Sequence, residues 1–199
     1  MENRKLILAS SSPRRKEILE SFNLDFVVIP AEIEEKIDNS LSPEKNAEQL
    51  ACQKAKEVFG EVSEITDVYV IGVDTIVVIE SQILGKPNSK EEAKKMLSLL
   101  SGKTHKVISG ICIIKTDDDE PVMEFSHVVT NVTMKGLDDD TIDKYISTNE
   151  PMDKAGAYGI QGFGIFLVEK IEGSYSNVVG LPSSKLYDML KNMGYDLLS

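Results

Sequence analysis

The sequence predicts an α/β fold: one unit on a mixed sheet with flanking helices, compatible with two lobes, rather than a regular doubly wound protein. Three observations predict it. Strand-length apolar runs alternate with helix-periodic segments through the first half of the chain. The stretch "DVYVIGVDTIVVIE", Asp67 to Glu80, is nearly all β-branched or apolar, as one or two buried strands would be. Late in the chain, "HKVISGICIIK" and "VMEFSHVVTNVTMK" flank the acidic turn "TDDDEP" and read as a long antiparallel hairpin.

The elements follow in order. Lys5 to Ala9 is a short apolar run of strand length, and Pro13 to Phe22 then places Ile18, Leu19 and Phe22 at helical spacing. "FVVIP", Phe26 to Pro30, is a strand closed by proline, and the acidic "EIEEKIDNSL" is a turn segment. Ser42-Pro43 opens a helix, serine as cap and proline at the first helical position, with Ala47, Leu50, Ala51, Ala55 and Val58 inward. After the "ILGKPNS" loop, Ser89-Lys90-Glu91-Glu92 has capping-box spacing, and Ala93, Met96, Leu97 and Leu100 form the stripe of a helix that Gly102 ends. Beyond the hairpin come a short helix carrying Ile142, Tyr145 and Ile146, a glycine-dense loop from Gly156 to Gly164, a strand "IFLVEKI" and a helix from about Ser183 to Met193. There is no repeat, low-complexity tract or linker.

The 199 residues are enough for a sizeable core. With 22 basic against 33 acidic residues the formal charge is −11, which argues against a nucleic-acid or anionic-membrane surface. A phosphate site must therefore be built from a local cluster of cations. Cys52 and Cys112 have no metal-type spacing and read as small core residues in a reducing compartment. "MENRKLILAS" holds too short an apolar run for a signal peptide, and nothing approaches the ~18 apolar residues of a membrane span. A cytoplasmic protein is expected.

In "LILASSSPRRKEIL", a helix capped by Ser12 has Pro13, Arg14 and Arg15 in its first turn. Cations at the positive end of a helix cost roughly 0.3–1 kcal/mol, and a capping box wants Glu where Arg15 stands. An anion docking on the N–H groups, the hydroxyls and the guanidinium forks would explain the choice, against a plain Ser-Pro start with solvated arginines. Asp74 interrupts an apolar run where an unpaired carboxylate is costly, so it is a metal ligand or general base, or else it ends a strand and caps a turn. Gly72 would open a bulge or admit a ligand to the backbone. Lys86 in "LGKP" sits in a tight loop that would pin it near a site, or in an ordinary surface turn. Lys54 falls among the inward residues of its helix, to snorkel, to reach a cleft or to pack at the core edge. Glu32, Glu34 and Glu35 offer metal ligands or a solvated face. In "DKAGAYGIQGFG" four glycines in nine residues surround Tyr158 and Gln161. The spacing is no dinucleotide fingerprint, but such a loop admits a ligand, and the Gln161 amide has one donor and one acceptor side for a base edge. His105 and His127 lie in strands and read as structural. "GSYSN" lacks a nucleophile elbow, so covalent serine catalysis is not expected.

With "LILASSSPRRKEIL", "GVDTIVV", "LGKP", "SGKTHKVISG", "DKAGAYGIQG" and "GSYSNVVGLP" in order, the chain resembles the Maf family of nucleoside triphosphate pyrophosphatases, or septum formation inhibitor-like proteins. The resemblance runs from about Leu6 to Leu190. It implies a single two-lobed domain over 1–199 related to the inosine triphosphate pyrophosphatases, with a central cleft. It also implies divalent-metal-dependent (Mg²⁺ or Mn²⁺) cleavage between the α- and β-phosphates. Carried over by motif, Asp74 matches the proton acceptor, Ser12, Arg14 and Arg15 the phosphate-binding start, and Lys54 and Lys86 the cleft lysines. Glu35 matches an acidic cleft residue, a metal ligand with Asp74. Arg14, Thr75 and Gln161 match positions tied to base choice in the branch that takes dTTP and UTP, and "YGIQG" is the sharpest pointer to that branch. Val73 stands where the family often has alanine.

The expected function is hydrolysis of dTTP and UTP, or modified pyrimidine triphosphates, to the monophosphate and pyrophosphate in a house-cleaning role. The alternatives are a nucleotide-binding regulator of cell division or septum formation, and a monophosphatase with the same anion pocket. The expected partner is the nucleoside triphosphate, with no nucleic acid and no membrane, and a homodimer is compatible with the family.

Overall fold

The computed structural model describes residues 5–117 and 120–198. Its strands are β1 (Lys5–Ala9), β2 (Phe26–Val28), β3 (Val68–Ile79), β4 (Gln82–Leu84), β5 (Thr104–Lys115), β6 (Val122–Met134) and β7 (Val168–Glu172). They form one sheet in the order β2-β1-β3-β5-β6-β7, with β4 on β3. The sheet is mixed. β1 runs parallel to both β2 and β3, whereas β4 returns antiparallel along β3 and β7 along β6. The end of β5 meets the start of β3, where the Thr116 N–H donates to the Val68 carbonyl at 3.0 Å, so these two strands also run oppositely.

Every residue of β3 except Thr75 is buried, which fits the apolar run and requires cover on both faces. The cover comes from α1 (Pro13–Glu20), α2 (Pro43–Val62), α3 (Lys90–Leu100), α4 (Asp139–Ser147), α5 (Tyr175–Val179) and α6 (Ser183–Asn192). Two compact units can be described. The first comprises Met1–Asp74, Ser109–Val128 and Gly180–Ser199, the second Thr75–Ile108 and Val129–Val179.

In the first unit the period-2 alternation of strands separates two cores. Leu6, Leu8, Tyr69, Ile71, Ile111 and Ile113 face Leu19 of α1 and Leu186, Met189 and Leu190 of α6. Ile7, Ala9, Val68, Val70, Cys112 and Ile114 face Ala51, Ala55, Val58 and Val62 of α2. The helix lies unusually close to the strands. A Cβ on Gly72 would stand 2.1 Å from the Ala51 carbonyl oxygen, and one on Gly110 2.1 Å from that of Ala47. The second unit has one core, in which Val77, Ile79 and Leu84 meet Ala93, Met96, Leu97 and Leu100 of α3, and Ile142, Tyr145 and Ile146 of α4.

The caps expected for α2 and α3 form: Ser42 accepts from the Lys45 N–H, and Ser89 from the Glu92 N–H. Four features differ from the sequence expectation. β4 follows β3 through a two-residue turn whose residues, Glu80 and Ser81, both have positive φ, 49° and 68°; without Asn or Gly it carries no turn signature. The glycine-dense loop and the flanking "IFL" fold into 3₁₀ turns, Glu150–Asp153, Ala155–Ala157 and Gly162–Leu167, so β7 begins only at Val168. The short α5 was not expected. Gly72 opens no bulge and admits no ligand; it is the contact point of the α2 backbone. Part of the "TDDDEP" turn and the first four residues of "MENRKLILAS" lie outside the described residues. Among the described residues no helix is long and apolar enough to cross a membrane.

Candidate active site

The first unit assembles a buried charge cluster around Lys54. The residue lies on α2 in the same turn as Ala51 and Ala55, whose backbones press on Gly72. Asp74 is two residues along β3 from Gly72, so the close approach of helix to strand brings the ammonium to the carboxylate. Lys54 Nζ donates to Asp74 Oδ1 at 2.6 Å and contacts Glu35 Oε1 at 2.6 Å. The side chains of Lys54 and Asp74 are 9 % and 8 % exposed, that of Glu35 44 %. Burying the pair requires this geometry, since a lone buried charge costs several kcal/mol, about 3–5 when one partner is removed.

Glu35 lies on a coil with no regular structure of its own, yet α2 laces that coil down. The Glu32 N–H donates to Glu57 Oε2 at 2.7 Å. Asn46, 1 % exposed, accepts the Asp38 N–H at 2.8 Å and returns Nδ2 to the Asp38 carbonyl at 3.0 Å. Of the three acidic residues in "EIEEK", only Glu35 reaches the cluster. Glu34 pairs with Lys36 at 2.8 Å, both well exposed, and Glu32 engages α2 through its backbone.

The helix start stands beside this cluster. Ser12 occupies the cap position of α1 but its side chain makes no cap bond; its N–H donates instead to Ser10 Oγ at 3.2 Å. Arg15 is not a solvated arginine. It is 8 % exposed, with Nε on the Gly180 carbonyl and Nη1 on Ser10 Oγ, both at 2.8 Å. Burial lowers the guanidinium pKa from its ordinary value, the carboxylates Asp74 and Glu35 oppose that shift, and the like charge of Arg14 adds to it. Arg14 is half-buried. The result is a helix N-terminus with two arginines and no acidic residue in its first turn. That arrangement suits an anion. Ser10 and Gly180 were missed from sequence. Ser10 is hidden in a run of three serines, and Gly180 has no local signal, being 165 positions from Arg15.

Glu35 and Asp74 stand close enough together to share a divalent cation. Their oxygens share one ammonium, so they are no farther apart than two 2.6 Å contacts laid end to end. A pair of carboxylates completed by phosphate oxygens and water is the usual setting for Mg²⁺. Among the described residues no group of three or more His, Cys, Asp and Glu forms a metal cage by itself.

The remaining predicted residues belong to the second unit. Thr75 follows Asp74 in β3 and is partly exposed; Lys86 is exposed in the loop after β4. Gln161 is exposed at the cap position of the last 3₁₀ turn, and its side chain makes no cap bond. The Gly156 N–H donates to the Gly85 carbonyl at 3.0 Å, tying the segment that carries Gln161 to the loop that carries Lys86. His105 Nε2 lies 2.6 Å from the Tyr158 hydroxyl beneath the same segment, while His105 Nδ1 is buried without a described partner. Burial lowers the His105 pKa to about 4. In the first unit, His127 Nδ1 meets Glu48 Oε1 at 2.7 Å.

The profile of the Maf-like protein family matches residues 5–193. A dTTP/UTP pyrophosphatase of Caldicellulosiruptor bescii is 50 % identical over 196 residues, 98 % of each chain. One of Clostridioides difficile is 50 % identical over 186 residues, 94 % of this chain and 93 % of that one. Among solved structures, a nucleoside-triphosphatase / dITP/XTP pyrophosphatase from Mycobacterium abscessus aligns with a TM-score of 0.43 at 15 % identity, covering 96 % of this chain and 95 % of that one.

Proposed function

The chain belongs to the Maf family, and on that premise we propose that it hydrolyses dTTP and UTP to the nucleoside monophosphate and pyrophosphate. The observation that carries the proposal is the charge cluster of the first unit. One ammonium, Lys54, holds two carboxylates, Asp74 and Glu35, within electrostatic reach of the buried Arg15.

Water attacks phosphorus, its proton passes to Asp74, and the bond between the α-phosphorus and the bridging oxygen breaks so that pyrophosphate leaves. The Asp74 oxygen proposed to take the proton is Oδ2, since Oδ1 is occupied by Lys54. Ser12, Arg14 and the first-turn N–H groups of α1 bind phosphate oxygens, with Arg15 supporting them from below. Lys54 offsets the charge that gathers on the departing pyrophosphate. Glu35 and Asp74 would hold a divalent cation, Mg²⁺ or Mn²⁺, which supplies further charge neutralisation of the triphosphate when bound. Thr75 and Gln161, both on the second unit, select the base. The Gln161 amide matches the N3–H and O4 edge of uracil or thymine, and leaves polar groups mismatched against cytosine, a penalty of about 1–3 kcal/mol. We place the reaction in the cytoplasm.

The test is a panel of triphosphates incubated with Mg²⁺ or Mn²⁺, with products separated chromatographically. Pyrophosphate and the monophosphate should appear from dTTP and UTP and be lost on chelation. Asp74→Asn should lower turnover on the order of 10²–10⁴-fold. Orthophosphate plus a diphosphate would sink the proposal. Unimpaired turnover in Asp74→Asn would remove Asp74 from it.

A further inference from the structure

The segment that presents Gln161 is clamped at both ends by two side chains from outside it. On one side the Gly159 N–H donates to the Tyr145 hydroxyl at 3.2 Å. On the other, the Phe163 N–H donates to Glu150 Oε1 at 2.9 Å and the Gly164 N–H to Glu150 Oε2 at 3.2 Å. The two clamps act on each other: the Tyr145 hydroxyl pKa is raised, chiefly by burial and further by the nearby Glu150 carboxylate. The chain between them is folded back on itself. A Cβ on Gly164 would stand 2.1 Å from the Gly159 carbonyl oxygen and 2.8 Å from the Tyr145 hydroxyl. A Cβ on Gly162, at φ +63°, would stand 2.3 Å from Glu150 Oε1. Residues 159–164 therefore form a closed loop with Gln161 exposed on it.

The division of labour is informative. A 3₁₀ turn such as Gly162–Leu167 leaves backbone N–H groups unsatisfied at its start, and the residue at its cap position normally serves them. Here that residue is Gln161, whose side chain makes no cap bond. The carboxylate of Glu150 does the capping from a different segment and carries the charge sign that a helix start favours. The amide of Gln161 is thereby left to a ligand, on a backbone whose neighbours on both sides are fixed. A base-reading amide needs this fixing, because a misplacement on the order of 1 Å can cost as much as ~10²-fold.

We propose that Glu150 and Tyr145 are positioning residues for base discrimination, holding the backbone around Gln161 so that its amide meets the uracil or thymine edge. The inference rests on the reading of Gln161 as the base-selecting residue. Neither side chain touches substrate; each acts through the loop.

The test measures kcat and KM for UTP and CTP in the wild type and in Glu150→Ala, Glu150→Gln and Tyr145→Phe, with melting curves for each. In Glu150→Ala and Tyr145→Phe the preference for UTP over CTP should fall on the order of tenfold or more, through a raised KM for UTP, with CTP turnover nearly unchanged. Glu150→Gln keeps one carbonyl oxygen as acceptor and should recover part of the preference. Tyr145→Phe removes a single oxygen and keeps the packing, so it answers the question should Glu150→Ala fail to fold. In a Gln161→Ala background, Tyr145→Phe should have no further effect on the preference. An unchanged ratio in folded variants, or a parallel loss for both nucleotides, would overturn the inference. Failure of the wild type to release pyrophosphate from UTP would instead overturn the reading on which it rests.

Discussion

Replacing Lys54 by methionine should destabilise the protein by about 3–4 kcal/mol, and the structure indicates how that figure divides. The contact to Asp74 is 2.6 Å long between side chains that are 9 % and 8 % exposed. Removing one partner from a buried pair typically costs about 3–5 kcal/mol, because the other is left charged and desolvated. The guanidinium of Arg15 also acts on Asp74, which places the expectation toward the lower end of that range. The second contact, to Glu35, adds little: with 44 % of its side chain in solvent, that carboxylate recovers hydration, and the loss is about 0–1 kcal/mol. For a chain of this length the melting temperature should fall by roughly 6–16 °C. Urea denaturation at pH 7, followed by circular dichroism, measures the change directly. The double variant Lys54→Met/Asp74→Asn should regain most of the loss, since a neutral amide needs no cation. A loss below about 1 kcal/mol, or a double variant no more stable than the single one, would refute the argument that the pair is held together by its burial.

Two further outcomes follow from the geometry. Gly110→Ala places a Cβ 2.1 Å from the Ala47 carbonyl oxygen, so α2 must shift; about 1–3 kcal/mol of stability should be lost and pyrophosphate release should fall with it, whereas unchanged turnover would show that α2 does not set the Lys54 position. His105 is 2 % exposed and its pKa is lowered to about 4 by burial, so between that value and the ordinary 6.5 the unfolded chain binds a proton that the folded chain refuses. Stability relative to His105→Phe should therefore fall by about 2–3 kcal/mol as the pH drops from above 6.5 to 4; urea titrations of both proteins at each pH decide it, and a gap that does not move with pH refutes it.

What the residues reveal in isolation, and what they do not, divides along sequence distance. The α1 and α2 starts are readable because proline position and apolar spacing are local, as is the burial of β3 from its β-branched run. Asp74 stands out because a carboxylate in such a run demands a partner. The partner itself does not stand out. Lys54 is 20 residues away, and what brings it over is the backbone contact at Gly72, which from sequence looked like a bulge or a ligand's approach. Ser12 illustrates the opposite error: the residue type and position are those of a cap, but its side chain makes no cap bond, and Ser10 takes its N–H. The Gln161 loop is the least readable part, since its shape is imposed by Glu150 and Tyr145 from elements that precede it.

The coil bearing Glu35 has a consequence for how this chain tolerates change in length. Surface segments without regular structure ordinarily accept inserted or deleted residues. This one is registered against α2 at three places, with Glu32, Glu35 and Asp38 meeting Glu57, Lys54 and Asn46 in turn. Each step forward along the coil is matched by a step backward along the helix, as in an antiparallel ladder whose helix-side rungs are side chains. Deleting or inserting one residue between 32 and 38 would break that registration and move the Glu35 carboxylate off the ammonium. The segment behaves as a ruler cut to the helix. A loop transplanted here from another protein would need the same spacing of anchors before the identity of its residues mattered.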